Sequence, residues 1–545
     1  GNVSFLSQSG SLGAAVMEKS SMFNLGLRHF ISVGNRADVG TADVLSLWKE
    51  DSETESILLY LETIDQPRRL RFTALKTAQL KPVIALKGGQ SSAGLRATSS
   101  HTGSLLKSSP ILQQAYFKQS SIISVNDLPI FMGLSTLLTK QPLPNGNRVA
   151  IITNGGGPGI LVTDACENNG LSVPELSQEI QEELREFLPS EASVGNPVDM
   201  IASATPEHYR KTVETVAKDP NIDAIIVIFI PPLTTKAEDV ARKLKEAMEN
   251  IHSSGHCKTL VAMFLSEDDP PAILFEEPFP IPTFTFPDEV AKALAKALEY
   301  KQAQENSYKS YYLVDDINFK RISETLADKE GWLSAKDTHE ILQALKLPVA
   351  RTEFTEDIDQ LLSLAADMPA PYVLKAEAPG LIHKSDVGAI RLNIHNVSEL
   401  KQAAVSMKNS LIEKGYENIS FILQSQQSTK DAYEMMAGVS HTELGHSVVV
   451  GQGGTAVEVL KDIATGVVPI TKEFANEMIK GLKIYNILKG YRTQRPYDIS
   501  PLADILLRLA SLVEVFPEIK DIDLNPIFLY PDRAKIVDFR MLVEL

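Results

Sequence analysis

The sequence predicts an α/β protein in which two parallel-sheet domains are followed by an α+β domain. Short apolar strands alternate with longer amphipathic stretches over the first 141 residues, a pattern typical of parallel α/β sheets. The same pattern restarts near residue 146, and residues 320–545 follow a different order of helices and strands. At about 100–200 residues per domain, a chain of 545 residues has room for about three or four domains.

The first domain is predicted over residues 1–141. Its candidate strands are short apolar runs separated by longer amphipathic sequence, at Val3–Leu6, Ile57–Leu61 and Val83–Leu86. The segment Gln141–Gly146 is a linker candidate, because Pro, Gly and Asn favour turns over helices and strands.

An internal duplication predicts the start of the second domain, residues 146–308. Asn2–Gly13 aligns with Arg148–Gly159 at a constant spacing of 146 residues, which pairs Val3 with Val149, Gly10 with Gly156 and Gly13 with Gly159. Each copy indicates a strand, a loop of small residues and then a helix. The buried run Ala224–Phe229 predicts a further strand of this domain.

The third domain is predicted over residues 320–545, after a polar connection at Gln302–Asp316. It begins with helical sequence and continues with strands, so we expect an α+β fold. Its predicted elements are a helix at Ser334–Leu345, a strand at Tyr372–Lys375, a glycine-rich turn at Gly451–Gly454, and terminal strands carrying Asp523–Pro526 and Val537–Asp538.

Composition excludes several classes of protein. The chain has 53 basic and 69 acidic residues, a net charge of −16, which argues against nucleic acid or an anionic membrane as partner. Its two cysteines, Cys166 and Cys257, are too few for a disulfide framework and are typical of a reducing cytoplasm. The longest apolar stretch, near Ala224–Pro232, is far below the ~18–20 residues of a membrane span. Because strand-like sequence begins at Val3, we expect the chain to start inside a longer protein.

Two glycine-rich turns between a strand and a helix are candidate phosphate sites. A helix N-terminus presents unpaired N–H groups, and glycine lets an anion approach the backbone closely. The candidate residues are Ser9, Gly10 and Ser11 in the first turn and Gly155, Gly156 and Gly157 in the second. Neither turn matches a Walker loop, and an ordinary turn between strand and helix stays the alternative for each.

His101 and Glu62 are candidate catalytic residues of the first domain. His101 lies in the small polar stretch Ser99–Ser104, where an exposed imidazole could attack phosphorus. Glu62 ends an apolar strand, the position where α/β sheets place functional groups, and could hydrogen-bond a histidine. A surface histidine and a charge that merely ends a strand are the alternatives.

Four residues of the third domain are candidates for binding a nucleotide. Lys375 ends a buried strand, where its charge could meet phosphates, and His383 lies in a second compact polar loop. Asn525 and Asp538 offer oxygen ligands suited to Mg²⁺. Each could equally be a turn residue.

Taken together and in order, these motifs resemble the NDP-forming acyl-CoA synthetases, the ADP-forming acetate–CoA ligase group related to succinyl-CoA synthetase. The resemblance covers essentially the whole chain. The motifs that carry it are Ser7–Gly13, Ser32–Asp38, Tyr60–Glu62, Ser100–Ser104, Thr153–Gly159, Asn196–Asp199, His383–Gly388, Gly453–Gly454, Val457–Asp462, Asp523–Pro526 and Val537–Asp538.

The resemblance implies two flavodoxin-like, doubly wound parallel-sheet domains followed by an ATP-grasp domain, with the family's N-terminal CoA-binding domain absent. It implies a reversible reaction of acyl-CoA, phosphate and ADP, with CoA as a substrate and Mg²⁺ as cofactor, in an oligomer. His101 would carry the phosphoryl group, Glu62 would orient it, and His383 would assist transfer to the nucleotide. The nucleotide would contact Lys375, Glu434, Gly453 and Gly454, and Mg²⁺ would contact Asn525 and Asp538.

A second function stays open from the sequence. Gly451–Glu458 also resembles a subgroup fused to a GNAT acetyltransferase domain, in which the synthetase part can be regulatory. In that case the chain would sense acyl-CoA or nucleotide within a protein lysine acetyltransferase. The presence of both His101 and His383 favours the enzyme.

Overall fold

The fold is that of a computed structural model with all side chains. The structure describes residues 1–20, 25–34, 38–88, 109–232, 235–265, 269–305, 311, 313–381, 387–454, 462–490 and 495–544, so His101 and His383 lie outside the described residues. These residues form two compact units, the first with both parallel sheets and the second with both antiparallel sheets.

The first sheet has five parallel strands in the order β2-β1-β3-β4-β5, which is the flavodoxin-like order. Every residue of β1 and β4 is buried, as expected for strands covered by helices on both faces. The three strands predicted here are present, each one residue longer than predicted. The strands are β1 (Val3–Ser7), β2 (Leu27–Ser32), β3 (Ser56–Leu61), β4 (Val83–Lys87) and β5 (Ile123–Val125).

The second sheet repeats this arrangement with four parallel strands in the order β7-β6-β8-β9. An isolated parallel bridge from Ala262 to Thr283 continues the sheet beyond β9. The strands are β6 (Val149–Thr153), β7 (Val198–Asp199), β8 (Ala224–Phe229) and β9 (Thr259–Phe264). Strands β1 and β6 begin and end at positions 146 residues apart, as the predicted duplication requires.

Helices of the first unit cover these sheets, and two of them join the sheets into one core. Phe131 of α5 and Leu294 of α10 belong to the same buried cluster as residues of both sheets. The predicted connection at Gln302–Asp316 is wrong for its first residues, because α10 runs to Glu305. The described helices are α1 (Gly10–Lys19), α2 (Thr41–Glu50), α3 (Pro67–Ala78), α4 (Pro110–Gln119), α5 (Leu128–Lys140), α6 (Gly156–Asn168), α7 (Gln178–Arg185), α8 (Pro206–Ala217), α9 (Ala237–Ser253) and α10 (Pro287–Glu305). The residues of α4 up to Ala115 are assigned to the second unit.

Two antiparallel sheets form the second unit. One has four strands in the order β11-β14-β12-β13, and the other has seven, ordered β10-β20-β18-β15-β16-β17 with β19 paired to β18. The strands are β10 (Gly331–Trp332), β11 (Thr352–Thr355), β12 (Tyr372–Glu377), β13 (Ile390–Ile394), β14 (Ser420–Ser425), β15 (Tyr433–Thr442), β16 (Gly445–Gln452), β17 (Ile463–Val467), β18 (Ile519–Leu529), β19 (Ala534–Ile536) and β20 (Arg540–Val543).

The helices of the second unit pack on these sheets. The helix predicted at Ser334–Leu345 is α12, with Ser334 as its N-terminal cap, and the Ser334 side chain accepts from the Asp337 N–H. No helix among the described ranges is long and apolar enough to cross a membrane. The described helices are α11 (Phe319–Leu326), α12 (Ala335–Ala344), α13 (Ile358–Ala366), α14 (Val397–Glu413), α15 (Lys472–Lys480), α16 (Tyr485–Leu488) and α17 (Ser500–Val515).

Two details of the third domain differ from the sequence predictions. Val537 and Asp538 do not lie in a strand but connect β19 to β20, although the Asn525 N–H still donates to the Asp538 carbonyl at 3.2 Å. Gly451 belongs to β16, so the glycine-rich turn begins only at Gly453. A strand pattern alone does not show where a ladder ends, because the end depends on the neighbouring strand.

Candidate active site

The first glycine-rich turn lies at the carboxyl end of β1, where α1 begins. Ser9 is the N-terminal cap of α1 and its hydroxyl accepts from the Leu12 N–H at 3.4 Å. Gly10 and Ser11 are exposed, and the first turn of α1 carries no acidic side chain. The N-terminus of α1 therefore has positive potential next to solvent and suits an anion.

Glu62 lies at the same edge of the sheet, directly after β3. The Gln8 side chain links it to the glycine-rich turn, since its Oε1 accepts from the Glu62 N–H at 2.7 Å and from the Thr63 N–H at 3.0 Å. The pKa of the neighbouring Tyr60 is raised by burial, then by the charge of the Glu62 carboxylate and the hydrogen bond to it. The structure thus places Ser9, Gly10, Ser11 and Glu62 at one edge of the sheet.

The second glycine-rich turn occupies the equivalent place, between β6 and α6. Gly155 is the N-terminal cap of α6, and Gly156 and Gly157 are exposed. The Asp199 carboxylate is close to this turn, because a Cβ added at Gly156 would lie 3.2 Å from Asp199 Oδ2. A carboxylate repels a phosphate, so Asp199 lowers the affinity of this turn for an anion.

Lys375 is the centre of a cluster in the second unit. The residue is 7% exposed, and its Nζ donates to the Val537 carbonyl at 2.8 Å and to Asp538 Oδ1 at 3.1 Å. Because Lys375 lies on β12 of the four-stranded sheet, these bonds tie it to the β19–β20 connection of the seven-stranded sheet. The sequence predicted this lysine and this carboxylate as neighbours of one nucleotide.

The turn after β16 closes on the same cluster. The Gly453 N–H donates to the Glu434 carbonyl at 2.7 Å, and the Gly454 N–H donates to Asn525 Oδ1 at 3.4 Å. Gly454 has a φ of +76°, and a Cβ there would overlap the Glu434 carboxylate, so only glycine fits. Asn525 in turn is bonded to the Asp538 backbone. The six predicted nucleotide and metal residues are therefore connected through contacts.

The donor set of this cluster fits a cation that is held mainly by a nucleotide. Among the residues that the structure describes, no group of three or more His, Cys, Asp or Glu side chains could hold a metal alone. Asn525 and Asp538 supply two oxygen donors, and Mg²⁺ usually takes one or two protein ligands together with substrate phosphates and water.

The sequence analysis missed two residues of the first site, Gln8 and Lys87. Lys87 ends β4 with 7% exposure, and its Nζ donates to the Glu62 carbonyl at 2.6 Å. Lys87 could have been predicted, because it ends an apolar run in the sequence in the same way as the predicted residue Lys375. Gln8 had no signal of its own beyond its place next to Ser9.

Family models match the chain in three successive segments. They are a succinyl-CoA ligase like flavodoxin domain at residues 1–138, a ligase-CoA domain at 149–307 and an ATP-grasp domain at 324–543. These segments correspond to the two parallel sheets and to the antiparallel pair of sheets. The predicted fold class is confirmed.

Relatives and a solved structure point the same way. The acetate–CoA ligase (ADP-forming) I of Archaeoglobus fulgidus is 31% identical over 100% of this chain and 78% of the relative. The 4-hydroxybutyrate–CoA ligase (ADP-forming) of Nitrosopumilus maritimus is 30% identical over 99% of this chain and 78% of the relative. The dinucleotide forming acetyl-coenzyme A synthetase 1 of Ca. Korarchaeum cryptofilum, solved with phosphate and ADP, is 30% identical with a TM-score of 0.53, over 58% of this chain and 68% of that chain. Because the two ligases match nearly the whole sequence and family models match all three segments, the chain belongs to the family of ADP-forming acyl-CoA synthetases, which are acid–thiol ligases.

Proposed function

We propose that the full-length protein converts acyl-CoA, phosphate and ADP reversibly into a carboxylic acid, CoA and ATP through a phosphohistidine at His101. The observation that carries the proposal is the cluster of Lys375, Glu434, Asn525 and Asp538 with its glycine turn, which meets the needs of a nucleotide phosphate with Mg²⁺. The ligase names of the relatives favour this enzyme over the regulatory alternative.

The proposed chemistry has three steps. A phosphate oxygen attacks the acyl carbonyl, the C–S bond breaks, and CoA leaves as the thiolate. An imidazole nitrogen of His101 then attacks phosphorus of the acyl phosphate, and the carboxylate leaves. A β-phosphate oxygen of ADP finally attacks phosphorus of the phosphohistidine, which restores the imidazole. His383 would assist this last transfer.

The described residues have distinct roles in this scheme. The N-terminus of α1, with Ser9, Gly10 and Ser11, would bind phosphate, and Gly155, Gly156 and Gly157 would form the second, weaker phosphate contact. The Glu62 carboxylate would hydrogen-bond the His101 imidazole and stabilise its positive charge. Lys375 would neutralise phosphate charge, and Asn525 and Asp538 would hold Mg²⁺, which screens the phosphates when bound.

The overall reaction is tested by stoichiometry. With acetyl-CoA or 4-hydroxybutyryl-CoA, phosphate, Mg²⁺ and ADP, we expect the full-length protein to form free CoA and ATP in equal amounts, and no product when phosphate is left out. Radiolabelled phosphate should appear in the γ-position of ATP. Formation of AMP and pyrophosphate in the reverse direction would contradict the proposal.

Replacement of Gly454 tests the nucleotide site. We expect Gly454→Ala to raise the KM for ADP, because the new Cβ pushes the Glu434 carboxylate aside and strains a residue at φ +76°. The strain alone costs about 1–2 kcal/mol of stability. Steady-state kinetics with ADP and thermal unfolding with and without Mg²⁺–ADP measure the two effects separately.

Gly415→Ala is the matched control. Gly415 has a φ of +84° in the same unit, and nothing lies within 4 Å of a Cβ placed there. It should lose a similar amount of stability and keep the KM of the unsubstituted enzyme. An unchanged KM for ADP in Gly454→Ala as well would remove this turn from the nucleotide site.

The domain limits, the oligomeric state and the cellular compartment are part of the proposal. We propose domains at residues 1–141, 146–308 and 320–545, in an oligomeric enzyme of the cytoplasm. Two relatives from Pyrococcus furiosus are subunits, an alpha subunit similar to 55% of the chain and a beta subunit similar to 38% of it. Light scattering of the purified protein would measure the oligomeric state.

A further inference from the structure

Each of the two parallel sheets has the same set of hydrogen bonds at the edge where its strands end. The Ser7 hydroxyl donates to the Ser9 carbonyl at 2.6 Å, and the Thr153 hydroxyl donates to the Gly155 carbonyl at 2.9 Å, 146 residues later. Gln8 and Asn154 correspond in the same way. Asn154 exchanges two hydrogen bonds with the backbone of Ile230, as Gln8 accepts from the backbone of Glu62.

The same comparison identifies what differs between the copies. Glu62 follows β3 directly, and Ile230 follows the equivalent β8. Lys87 pairs with Leu61 at the end of β4, and Phe264 pairs with Phe229 at the end of β9. The next residue closes the edge identically, since the Gly88 N–H donates to the Leu61 carbonyl at 2.8 Å and the Leu265 N–H donates to the Phe229 carbonyl at 2.9 Å. The first copy therefore has Glu62 and Lys87 where the second has Ile230 and Phe264.

Lys87 holds the peptide that carries Glu62. Its Nζ donates to the Glu62 carbonyl at 2.6 Å and also to the Gly88 carbonyl. Gln8 accepts from the N–H of Glu62 on the other side, at 2.7 Å. The main chain of Glu62 is thus held by two residues, Gln8 and Lys87.

A buried ammonium group is costly, so its presence needs a reason. Lys87 is 7% exposed, and burial of a charge disfavours folding unless hydrogen bonds compensate. The second copy builds the same edge with Phe264, which is 6% exposed and has no polar group to satisfy. The architecture therefore does not require a lysine at this place, and the lysine occurs only in the copy with the acidic residue.

We propose that Lys87 is a positioning residue that fixes the Glu62 carboxylate for phosphoryl transfer. This inference rests on the proposed role of Glu62. Lys87 touches neither substrate nor phosphorus in this assignment and acts through the Glu62 peptide. Loss of its amine should misplace the carboxylate and slow the transfer, with nucleotide binding unchanged because the nucleotide cluster does not contain Lys87.

A double-mutant cycle tests the inference. Single-turnover formation of the phosphoenzyme from Mg²⁺–ATP is measured for Lys87→Met, Glu62→Gln and the double variant. We expect Lys87→Met to lower the maximal rate by about 10- to 100-fold, as misplaced catalytic groups do, at an unchanged half-saturating ATP concentration. In the Glu62→Gln background the same change should have little further effect, because both act through one carboxylate.

Lys81→Met is the matched control. Lys81 precedes β4 at the opposite end of the strand, is 9% exposed, and its Nζ also donates to two backbone carbonyls, those of Trp48 and Asp51. It should lose stability but keep the maximal rate. If Lys87→Met fails to fold, Lys87→Gln, which keeps an N–H donor, replaces it in the cycle and should show a smaller loss.

The possible outcomes distinguish failure of the Lys87 role from failure of the proposed function. An unchanged maximal rate in Lys87→Met, or losses that multiply in the double variant, would overturn the role of Lys87. Absence of label in the unsubstituted enzyme, or equal label in His101→Ala, would overturn the proposed function and this role together.

Discussion

The His101→Ala variant should form no acid-labile phosphoenzyme and should lose ATP formation by at least about 10³-fold, as expected when a covalent nucleophile is removed. The phosphorus–nitrogen bond of a phosphohistidine breaks in acid and survives base, unlike a phosphoserine. Label from γ-labelled ATP should therefore disappear from the unsubstituted enzyme after acid treatment and should be absent from the variant throughout.

The source of the label distinguishes the two histidines. Phosphoryl groups can reach His101 from ATP or, in the opposite direction, from labelled phosphate with acyl-CoA. His101→Ala should block labelling from both sources. His383→Ala should block only labelling from ATP, since His383 is assigned to the nucleotide side of the transfer.

His256→Ala is a suitable control for these variants. His256 is an exposed histidine that follows α9 in the second parallel-sheet domain. The His256→Ala variant should be labelled to the same extent as the unsubstituted enzyme. Full labelling of His101→Ala would move the phosphoryl carrier elsewhere, and labelling of His383→Ala from ATP would remove His383 from the relay.

The fold was predictable because its signals are local. Runs such as Val3–Leu6 and Ala224–Phe229 are apolar throughout, and parallel strands buried on both faces have that composition. The duplication was predictable because the glycine-rich turn recurs in the sequence itself. Strand ends were less predictable, because they depend on where the neighbouring strand stops pairing. Asp538 lies outside the strand predicted for it, and Gly451 lies inside β16 and not in the predicted turn.

The candidate site also contains residues that the sequence predicts and residues that it does not. Lys375, Asn525 and Asp538 were selected for their side-chain chemistry and turned out to be connected. Gln8 and Lys87 act through the backbone of Glu62, and such a role depends on which peptide lies opposite, a relation that a single sequence does not contain. The comparison of the two copies supplies that relation, because it shows which positions the architecture leaves free to change.

Lys375→Met should raise the KM for ADP by about 10- to 100-fold, because a hydrogen bond to a charged group contributes about 1.5–3 kcal/mol and each 1.4 kcal/mol is a factor of ten. Methionine is also unbranched and only one atom shorter than lysine, and it carries no charge. Initial rates of ATP formation at saturating phosphate and acyl-CoA measure the KM, and thermal unfolding measures any loss of stability.

Lys245→Met provides the control for loss of a buried lysine. Lys245 is also 7% exposed, and its Nζ donates to three backbone carbonyls, those of Glu276, Pro278 and Phe279. It lies on α9 of the first unit, and the assigned nucleotide residues belong to the second unit. Its substitution should reduce stability and leave the KM for ADP unchanged.

Asp538→Asn resolves what Lys375 does. The amide keeps an oxygen that can accept from Lys375 Nζ but loses the charge that attracts Mg²⁺, so the Mg²⁺ concentration for half-maximal rate should rise. If Lys375 only held Asp538 in place, Lys375→Met would copy this Mg²⁺ effect and would bind ADP normally once Mg²⁺ is saturating. A KM for ADP that stays high at saturating Mg²⁺ instead requires a direct charge interaction between Lys375 and the phosphates.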